Sequence, residues 1–457
     1  MPDSSDAAAT TAATGQPGEA PDAAAHPLLA ELAWRGALYQ HTEGLAAFLA
    51  RGDVSAYCGF DPTATSLHVG NLVPVMGLVR MQRFGVRPVA LVGGGTGLIG
   101  DPSGKSTERA LNTPEVVAAN TAAVREQLGR FLDFEGPHAA TMRDNAEWLG
   151  RLGAIEFMRD VGKHFTVNFM LAKESVRSRM DAGISYTEFS YMLLQAYDFL
   201  ELYRRDGVAL QVGGSDQWGN MTAGMELIRR TTGGEAHVLT FPLLTKADGT
   251  KFGKTEGSSV WLDPELTSPY RFYQFWLNAD DRDVGKLLRL FTLLPREEIE
   301  PLDAATAERP QGREAQQALA RDVTARVHGA EQLRAAAQVS ALLFGGGDPR
   351  ALSPAAFALL RREVPFATVT PDPALADSAA AGGAPALADV LGLLTETGLA
   401  ASRGAAKRLV EQGGVRVNGE RRSMAERFVR EADLLPGRHL LLRKGARDYA
   451  LVELRPA

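Results

Sequence analysis

The chain has 457 residues, 45% hydrophobic and 23% charged, which is enough for two or three domains, each with its own core. No apolar run reaches the roughly 18 residues of a membrane span, and the first 25 residues lack the basic start and Leu-rich segment of a signal peptide. A lone Cys58 excludes an intrachain disulfide and a multi-Cys zinc site. The eight His show no metal-ligand spacing, so no metal site is expected and the cytoplasm is the default compartment.

Residues 1–26 read as a disordered tail, too poor in large apolar groups to offset ordering entropy. Ser55–Phe60, Pro88–Gly93 and Val208–Gly213 read as short apolar strands that end in glycine-rich or polar loops. Leu72–Arg83 and Phe189–Leu202 carry helical patterns between them. That alternation predicts an α/β fold with a parallel, helix-covered sheet whose ligands bind beyond the carboxyl ends of the strands. From Pro269 to about Val364 the pattern is mostly helical, and Pro371–Pro385 reads as a flexible linker. From Leu387 onward 13 Lys+Arg face 9 Asp+Glu, a net +4. The formal total is −6, so the remainder carries −10. A basic C-terminal module on an acidic body points to a polyanionic partner.

Six segments carry candidate chemistry. In Tyr57-Cys58-Gly59-Phe-Asp61 through His68-Val-Gly70-Asn71, a strand gives way to a helix opening near His68, where free N–H groups favour phosphate. His68 and Asn71 are one turn apart, and Gly70 permits close approach of a ligand. Taken alone, His68 is better explained as a surface histidine. Gly93–Ser106 contains two decoys. Gly95-Thr-Gly97-Leu-Ile-Gly100 matches a dinucleotide fingerprint, but Asp101-Pro102 interrupts the helix that fingerprint needs. Gly104-Lys105-Ser106 mimics a phosphate loop whose first glycine is replaced by Ile99. Along Phe189–Leu202, Tyr191, Gln195 and Asp198 share one face of a helix that is apolar nearly all round. They either satisfy one another or line a polar pocket.

Gln211 to Asn220 follows a strand. Asp216 and Gln217 there suit ribose hydroxyls and polar substrate groups, and Asp216 or Asn220 equally suits a helix cap. Lys246 to Ser259 holds Lys251 and Lys254 among Gly, Ser and Thr, either a mobile basic loop able to close on phosphates or a solvated hairpin tip. In the C-terminal module, Arg403, Lys407 and Arg408 lie near one face of a helix capped by Ser402 and ended by Gly413-Gly414. The hairpin signal Asn418-Gly419 sits among Arg416, Arg421 and Arg422. A basic helix beside a basic hairpin suits an RNA backbone, although solvated surfaces carry such charges too.

From about Trp34 to the end, and in the same order, these segments together resemble bacterial tyrosyl-tRNA synthetases, a class I family. His68-Val-Gly-Asn71 is similar to the first class I signature, H-I-G-H. Lys251-Phe-Gly-Lys254-Thr255 is similar to the second, K-M-S-K-S, and the C-terminal module resembles an S4 RNA-binding domain. The resemblance implies a Rossmann-like catalytic domain at 27–262, a helical anticodon-arm-binding domain at 263–365, a linker at 366–386 and a small α+β S4-like domain at 387–457. It implies that Tyr57 and Asp198 hold the substrate phenol, and that Asp101, Tyr191 and Gln195 hold its α-ammonium. Cys58, Gly59, Asp61, Gly70, Gly214, Asp216 and Gln217 are then expected around the adenylate. His68 and Asn71 would face the reacting phosphates, with Lys251, Lys254 and Thr255, helped by Lys105 and Arg109, on the leaving pyrophosphate. ATP as substrate, Mg²⁺ bound through its phosphates, tRNA(Tyr), a homodimer and no membrane partner are implied with them. Asn71 departs from the family's second His and cannot carry charge, and Pro74 is a position that varies between Thr and Pro. A tryptophan-specific enzyme on the same fold, a non-catalytic RNA-binding protein and a nicotinamide-dependent dehydrogenase are the alternatives.

Overall fold

Strand β2 (Ser55–Phe60) and strand β3 (Arg87–Val92) pair in parallel along their whole length, Ser55 opposite Arg87 and Phe60 opposite Val92. Their residues are almost all buried, as parallel strands covered by helices on both faces must be. The computed structural model describes residues 26–103, 111–177, 180, 183–250, 252–255, 258–344, 346–378 and 385–456. The expected N-terminal tail lies outside them, apart from residue 26.

Strands β1 (Gln40–His41), β4 (Thr141–Asp144), β5 (Leu210–Gly214) and β6 (His237–Phe241) complete a six-stranded sheet of order β1-β6-β5-β2-β3-β4. Only β1 runs antiparallel to its neighbour. The chain moves from β2 outward to β3 and β4, then returns to the other side of β2 to lay down β5 and β6. The order therefore reverses between β2 and β5, the place where open α/β sheets form a crevice. Helix α1 (Leu72–Arg83) has the bounds expected from its pattern, with Pro74 in the first turn, where a missing N–H costs nothing. Helix α2 (Pro114–Leu128) follows, capped by Thr113. Helix α3 (Tyr186–Asp206) is longer than the expected Phe189–Leu202. Ser185 caps it by accepting from Glu188 N, and Gly207 ends it at φ 65°. Helix α4 (Trp218–Thr232) leads into β6.

The chain divides into two units, residues 1–252 and 253–457. In the second, helices α5 (Pro269–Leu277), α6 (Asp281–Phe291), α7 (Arg296–Glu308), α8 (Glu314–Leu343) and α9 (Pro354–Glu363) bear out the helical pattern. They precede or adjoin a five-stranded sheet in which Glu420–Arg421, Val415–Val417, His439–Lys444, Asp448–Leu454 and Phe366–Val369 lie side by side in that order. The stretch expected as linker needs correction here. Phe366–Val369 forms strand β9, paired in parallel with β15 (Asp448–Leu454). The alternation Phe-Ala-Thr-Val supplies a strand that the Pro- and Gly-rich residues after it obscured. The Tyr449 hydroxyl also donates to Leu342 O at the end of α8, 3.1 Å away. Helix α10 (Val390–Glu396) and helix α11 (Arg403–Glu411), capped by Ser402, pack with strands β11 (Val415–Val417) and β14 (His439–Lys444) around a core of Val, Leu and Ala. Asn418 (φ 51°) and Gly419 (φ 89°) form the expected turn between β11 and β12 (Glu420–Arg421), with both residues left-handed as a type I′ hairpin requires. No helix among the described residues is long and apolar enough to cross a membrane.

Candidate active site

A cavity of about 250 Å³ opens at the switch point between β2 and β5. Strand β2 supplies Tyr57, Cys58 and Gly59, and the loop beyond it Asp61, His68 and Asn71. Helix α3 supplies Tyr191, Gln195 and Asp198, the β3 loop Asp101, and β5 and its loop Gly214 and Gln217. Gly70 and Asp216, also expected here, are not among the lining residues. Lys105, Arg109 and Lys251 lie outside the described residues. Lys254 and Thr255 form the two-residue strand β7, paired with Ser258–Ser259.

Tyr57 is 1% exposed and packs its ring on Phe199, centroids 5.2 Å apart. Its buried hydroxyl has no hydrogen-bond partner among the described residues, and burial, then the nearby Asp198, raises its pKa well above the usual phenol range. Asp198 is 2% exposed and accepts from Asn145 Nδ2 at 2.9 Å and Trp148 Nε1 at 2.7 Å. Burial pushes its carboxyl up to about 8, although both hydrogen bonds pull the other way. The pocket thus buries an unpartnered phenol beside a carboxyl that two donors hold in place. Gln211 adds a second buried orphan, its Oε1.

Elsewhere in the cavity, Tyr191 donates to Asp61 Oδ2 at 2.7 Å, and Thr96 Oγ1 donates to Asp61 Oδ1 at 2.7 Å. Burial, followed by Asp61 and Asp101, raises the Tyr191 phenol. Gln195 Oε1 accepts from Asn220, and Asp101 Oδ2 accepts from Gln217 Nε2 at 2.7 Å. Asp101 and Gln217, expected on amino acid and adenylate respectively, are therefore joined to each other. Burial, then Asp101, raises the Asp216 carboxyl. The Cys58 thiol is buried and pushed up to about 12 by that burial, so it is a neutral group here.

His68 and Asn71 form a reciprocal cap. His68 Nδ1 accepts from Gly70 N, and Asn71 Oδ1 accepts from His68 N, each at 3.0 Å. A side chain at Gly70 would collide with the imidazole, whose Cε1 a Cβ would meet at 2.8 Å. Because Nδ1 accepts, the ring proton sits on Nε2, and the imidazole offers a donor without charge. Asn71, its oxygen occupied, offers Nδ2. The amide does the capping work here and still leaves a donor.

The glycine-rich loop is filled by the protein itself. Gly94 N donates to Asp144 Oδ1 at 3.1 Å, and Gly95 N to Asn145 Oδ1 at 2.7 Å. Within the fingerprint, Gly97 N donates to Gly93 O at 2.7 Å and Leu98 N to Gly95 O at 3.2 Å, so the loop closes on itself, which counts against the dehydrogenase alternative. Asn145, Trp148, Thr96 and Gln211 were missed as site residues. Asp144-Asn145 follows the short strand β4, and polar residues at a strand's carboxyl end were the available signal.

In the C-terminal module Lys407, Arg408, Arg416 and Arg421 are exposed, and Arg403, also exposed, is bonded to Asp389 at 2.5 Å. Arg422 turns inward. Its side chain is 12% exposed and its guanidinium is paired with Asp433, so it serves the module's packing.

A parallel sheet with a ligand cavity at its switch point and a histidine-capped turn beyond β2 is the architecture of a class I tRNA synthetase. Residues 49–345 match the family model described as tRNA synthetases class I (W and Y), and residues 381–452 match the Tyrosine--tRNA ligase SYY-like C-terminal domain. The chain is 54% identical over 428 residues to a Tyrosine--tRNA ligase of Anaeromyxobacter dehalogenans, covering 94% of this chain and 99% of the relative. It is 52% identical over 429 residues to that of Bacillus caldotenax, covering 93% and 99%. A C-terminally truncated mitochondrial tyrosyl-tRNA synthetase of Aspergillus nidulans shares the fold with a TM-score of 0.62. That structure is 30% identical and covers 69% of this chain and 94% of its own. The chain belongs to the tyrosine–tRNA ligases.

Proposed function

We propose a residue-level account of how this ligase activates tyrosine. The enzyme joins L-tyrosine to ATP, giving tyrosyl-adenylate and pyrophosphate, and then transfers tyrosine to the 3′-terminal adenosine of tRNA(Tyr). The observation that carries the reading is the fully buried, unpartnered Tyr57 hydroxyl beside Asp198. A substrate phenol hydroxyl pairs with both groups, whereas phenylalanine leaves the buried Tyr57 hydroxyl unpaired and adds nothing to the two bonds Asp198 already accepts. Asp101, Tyr191 and Gln195 are assigned to the α-ammonium, an acidic and amide-rich wall suited to a cation. Cys58, Gly59, Asp61, Gly70, Gly214, Asp216 and Gln217 are assigned to the adenylate side.

The tyrosine carboxylate is already ionised, so attack on the α-phosphorus needs no general base. Catalysis rests on positioning and on charge stabilisation. His68 Nε2–H and Asn71 Nδ2 are the donors proposed to meet charge as it builds on the phosphates. Lys251, Lys254, Thr255, Lys105 and Arg109 are proposed to grip the pyrophosphate. Mg²⁺ would travel on the ATP phosphates, which would supply its ligands, since Asp61 and Asp101 are engaged by hydroxyl and amide donors. Its chemistry when bound is neutralisation of phosphate charge.

Arg403, Lys407, Arg408, Arg416 and Arg421 are proposed to meet the tRNA backbone, and a homodimer in the cytoplasm, where tRNA is used in translation, is proposed as the working form. Amino-acid-dependent ATP–pyrophosphate exchange tests the account. Exchange is expected with tyrosine and not with phenylalanine or tryptophan. Exchange with tryptophan would overturn the Tyr57/Asp198 assignment.

A further inference from the structure

We propose that Gln127, together with Asn120, is a positioning residue for His68. Residues 61–67 belong to no helix or strand and link the end of β2 to His68, which makes a single β-bridge before the turn Val69–Asn71. A histidine that must meet a phosphate to within a fraction of an ångström thus follows directly on irregular backbone, and something has to fix that backbone. Two buried amides of helix α2 do so. Asn120 and Gln127 are 4% and 7% exposed and stand seven residues apart, two turns along one face.

Asn120 Nδ2 donates to Pro62 O at 3.0 Å, at the start of the segment. Gln127 holds its end. Oε1 accepts from Leu67 N at 2.8 Å, and Nε2 donates to Ser66 Oγ at 3.1 Å. Ser66 Oγ in turn donates to Leu67 O at 2.7 Å. Leu67 N can only donate, so the amide's orientation is fixed and the ring of bonds closes in one sense. Leu67 immediately precedes His68. Its N–H and C=O are both tied into this ring, and neither can swing without breaking a buried bond. Gln127 does not line the cavity, and the lining residue next to the backbone it holds is His68.

The proposal rests on His68 acting as a donor in the activation step, and the test separates the two. Gln127→Leu leaves the buried Leu67 N–H unpaired. It is expected to lower kcat for pyrophosphate exchange about tenfold, with KM for tyrosine unchanged. Gln127→Glu keeps the acceptor and loses the donor, so an intermediate rate is expected, and it serves if the leucine variant does not fold. The decisive comparison is a cycle with His68→Ala. In that background Gln127→Leu should have little further effect, because the group it positions is gone. A merely structural role would lower kcat by the same factor in both backgrounds. That additive result, or weakened tyrosine binding at unchanged kcat, would overturn the proposal while leaving His68's own role intact. An unchanged exchange rate in His68→Ala alone would remove both.

Discussion

The side-chain nitrogen of Asn145 bridges Asp198 Oδ2 and Thr96 Oγ1, each at 2.9 Å. The Thr96 hydroxyl donates a hydrogen bond to Asp61 Oδ1, and Tyr191 donates to the other oxygen. A continuous run of hydrogen bonds thus joins Asp198, beside Tyr57, to Tyr191 across the pocket. Burial outweighs the donors at Asp198 and lifts its carboxyl to about 8.

The folded state therefore holds a proton on Asp198 across a range in which the unfolded chain, with an ordinary aspartate pKa near ~4, has lost it. The folded form binds more protons, so the Asp198 contribution to stability falls as pH rises from about 4 to about 8. Asp198→Asn lacks this loss. The difference in Tm between Asp198→Asn and the parent is expected to shift in the variant's favour from pH 5 to pH 8, read by calorimetry without substrates. A pH-independent difference would contradict it.

Tyr57→Phe removes a buried hydroxyl that has no hydrogen-bond partner among the described residues. Tm is expected to hold or rise slightly, while the ratio of kcat/KM for tyrosine over phenylalanine falls about tenfold, one hydrogen bond's worth. A drop in Tm with discrimination intact would show that the hydroxyl serves the fold.

Strand β9 makes the position of a C-terminal cut matter. Ending the chain before Phe366 removes the whole five-stranded sheet, whereas ending it after Ala386 leaves β9 without its partner β15. Both truncations are expected to retain pyrophosphate exchange and lose most aminoacylation. The longer one should aggregate more readily, because it exposes an unpaired strand. Light scattering on the purified pair checks this.

Lys407 and Arg408 are exposed on α11. Replacing both with Ala is expected to raise KM for tRNA and to flatten its salt dependence, with pyrophosphate exchange unchanged. An unaltered salt slope would exclude this helix from the RNA surface.

The segment from Ile155 to Tyr186 exposes Ile155, Met158, Val167 and Tyr186, the last at 73%. Ile155 and Met158 lie one turn apart on the helix Ala154–Asp160, which buries none of its residues. Phe157 of the same helix packs on the core, while Ile155 and Met158 face outward, where a second copy would cover them in the homodimer proposed above. Tyr186→Asp is expected to shift the protein from dimer towards monomer in sedimentation velocity. A dimer of undiminished stability would place the interface elsewhere.

Much of the pocket could be read in advance because it lies on regular elements. Tyr191, Gln195 and Asp198 share a helical face whose spacing is visible in the sequence, and the strand ends carry polar residues where open sheets bind ligands. Asn145 and Trp148 escaped because they sit beyond β4, a four-residue strand with no apolar run to announce it. They act through Asp198, and no spacing rule connects residues some fifty positions apart. Strand β9 escaped for a related reason, since its partner lies more than eighty residues downstream. Arg422 looked like its neighbours Arg416 and Arg421, and only the fold shows which way a hairpin side chain faces.

Glycines mark where a backbone is bare, but not what will cover it. At Gly94 and Gly95 the cover is Asp144 and Asn145. Opening these N–H groups to a nucleotide phosphate would mean withdrawing Asn145, and Asn145 also steadies the carboxyl proposed to hold the tyrosine phenol. The same amide thus makes the loop's closure and the recognition of the amino acid a single commitment. Variants selected for a different side chain at Asp198 should loosen a loop that never touches the new substrate, and compensating changes should gather between Gly93 and Thr96.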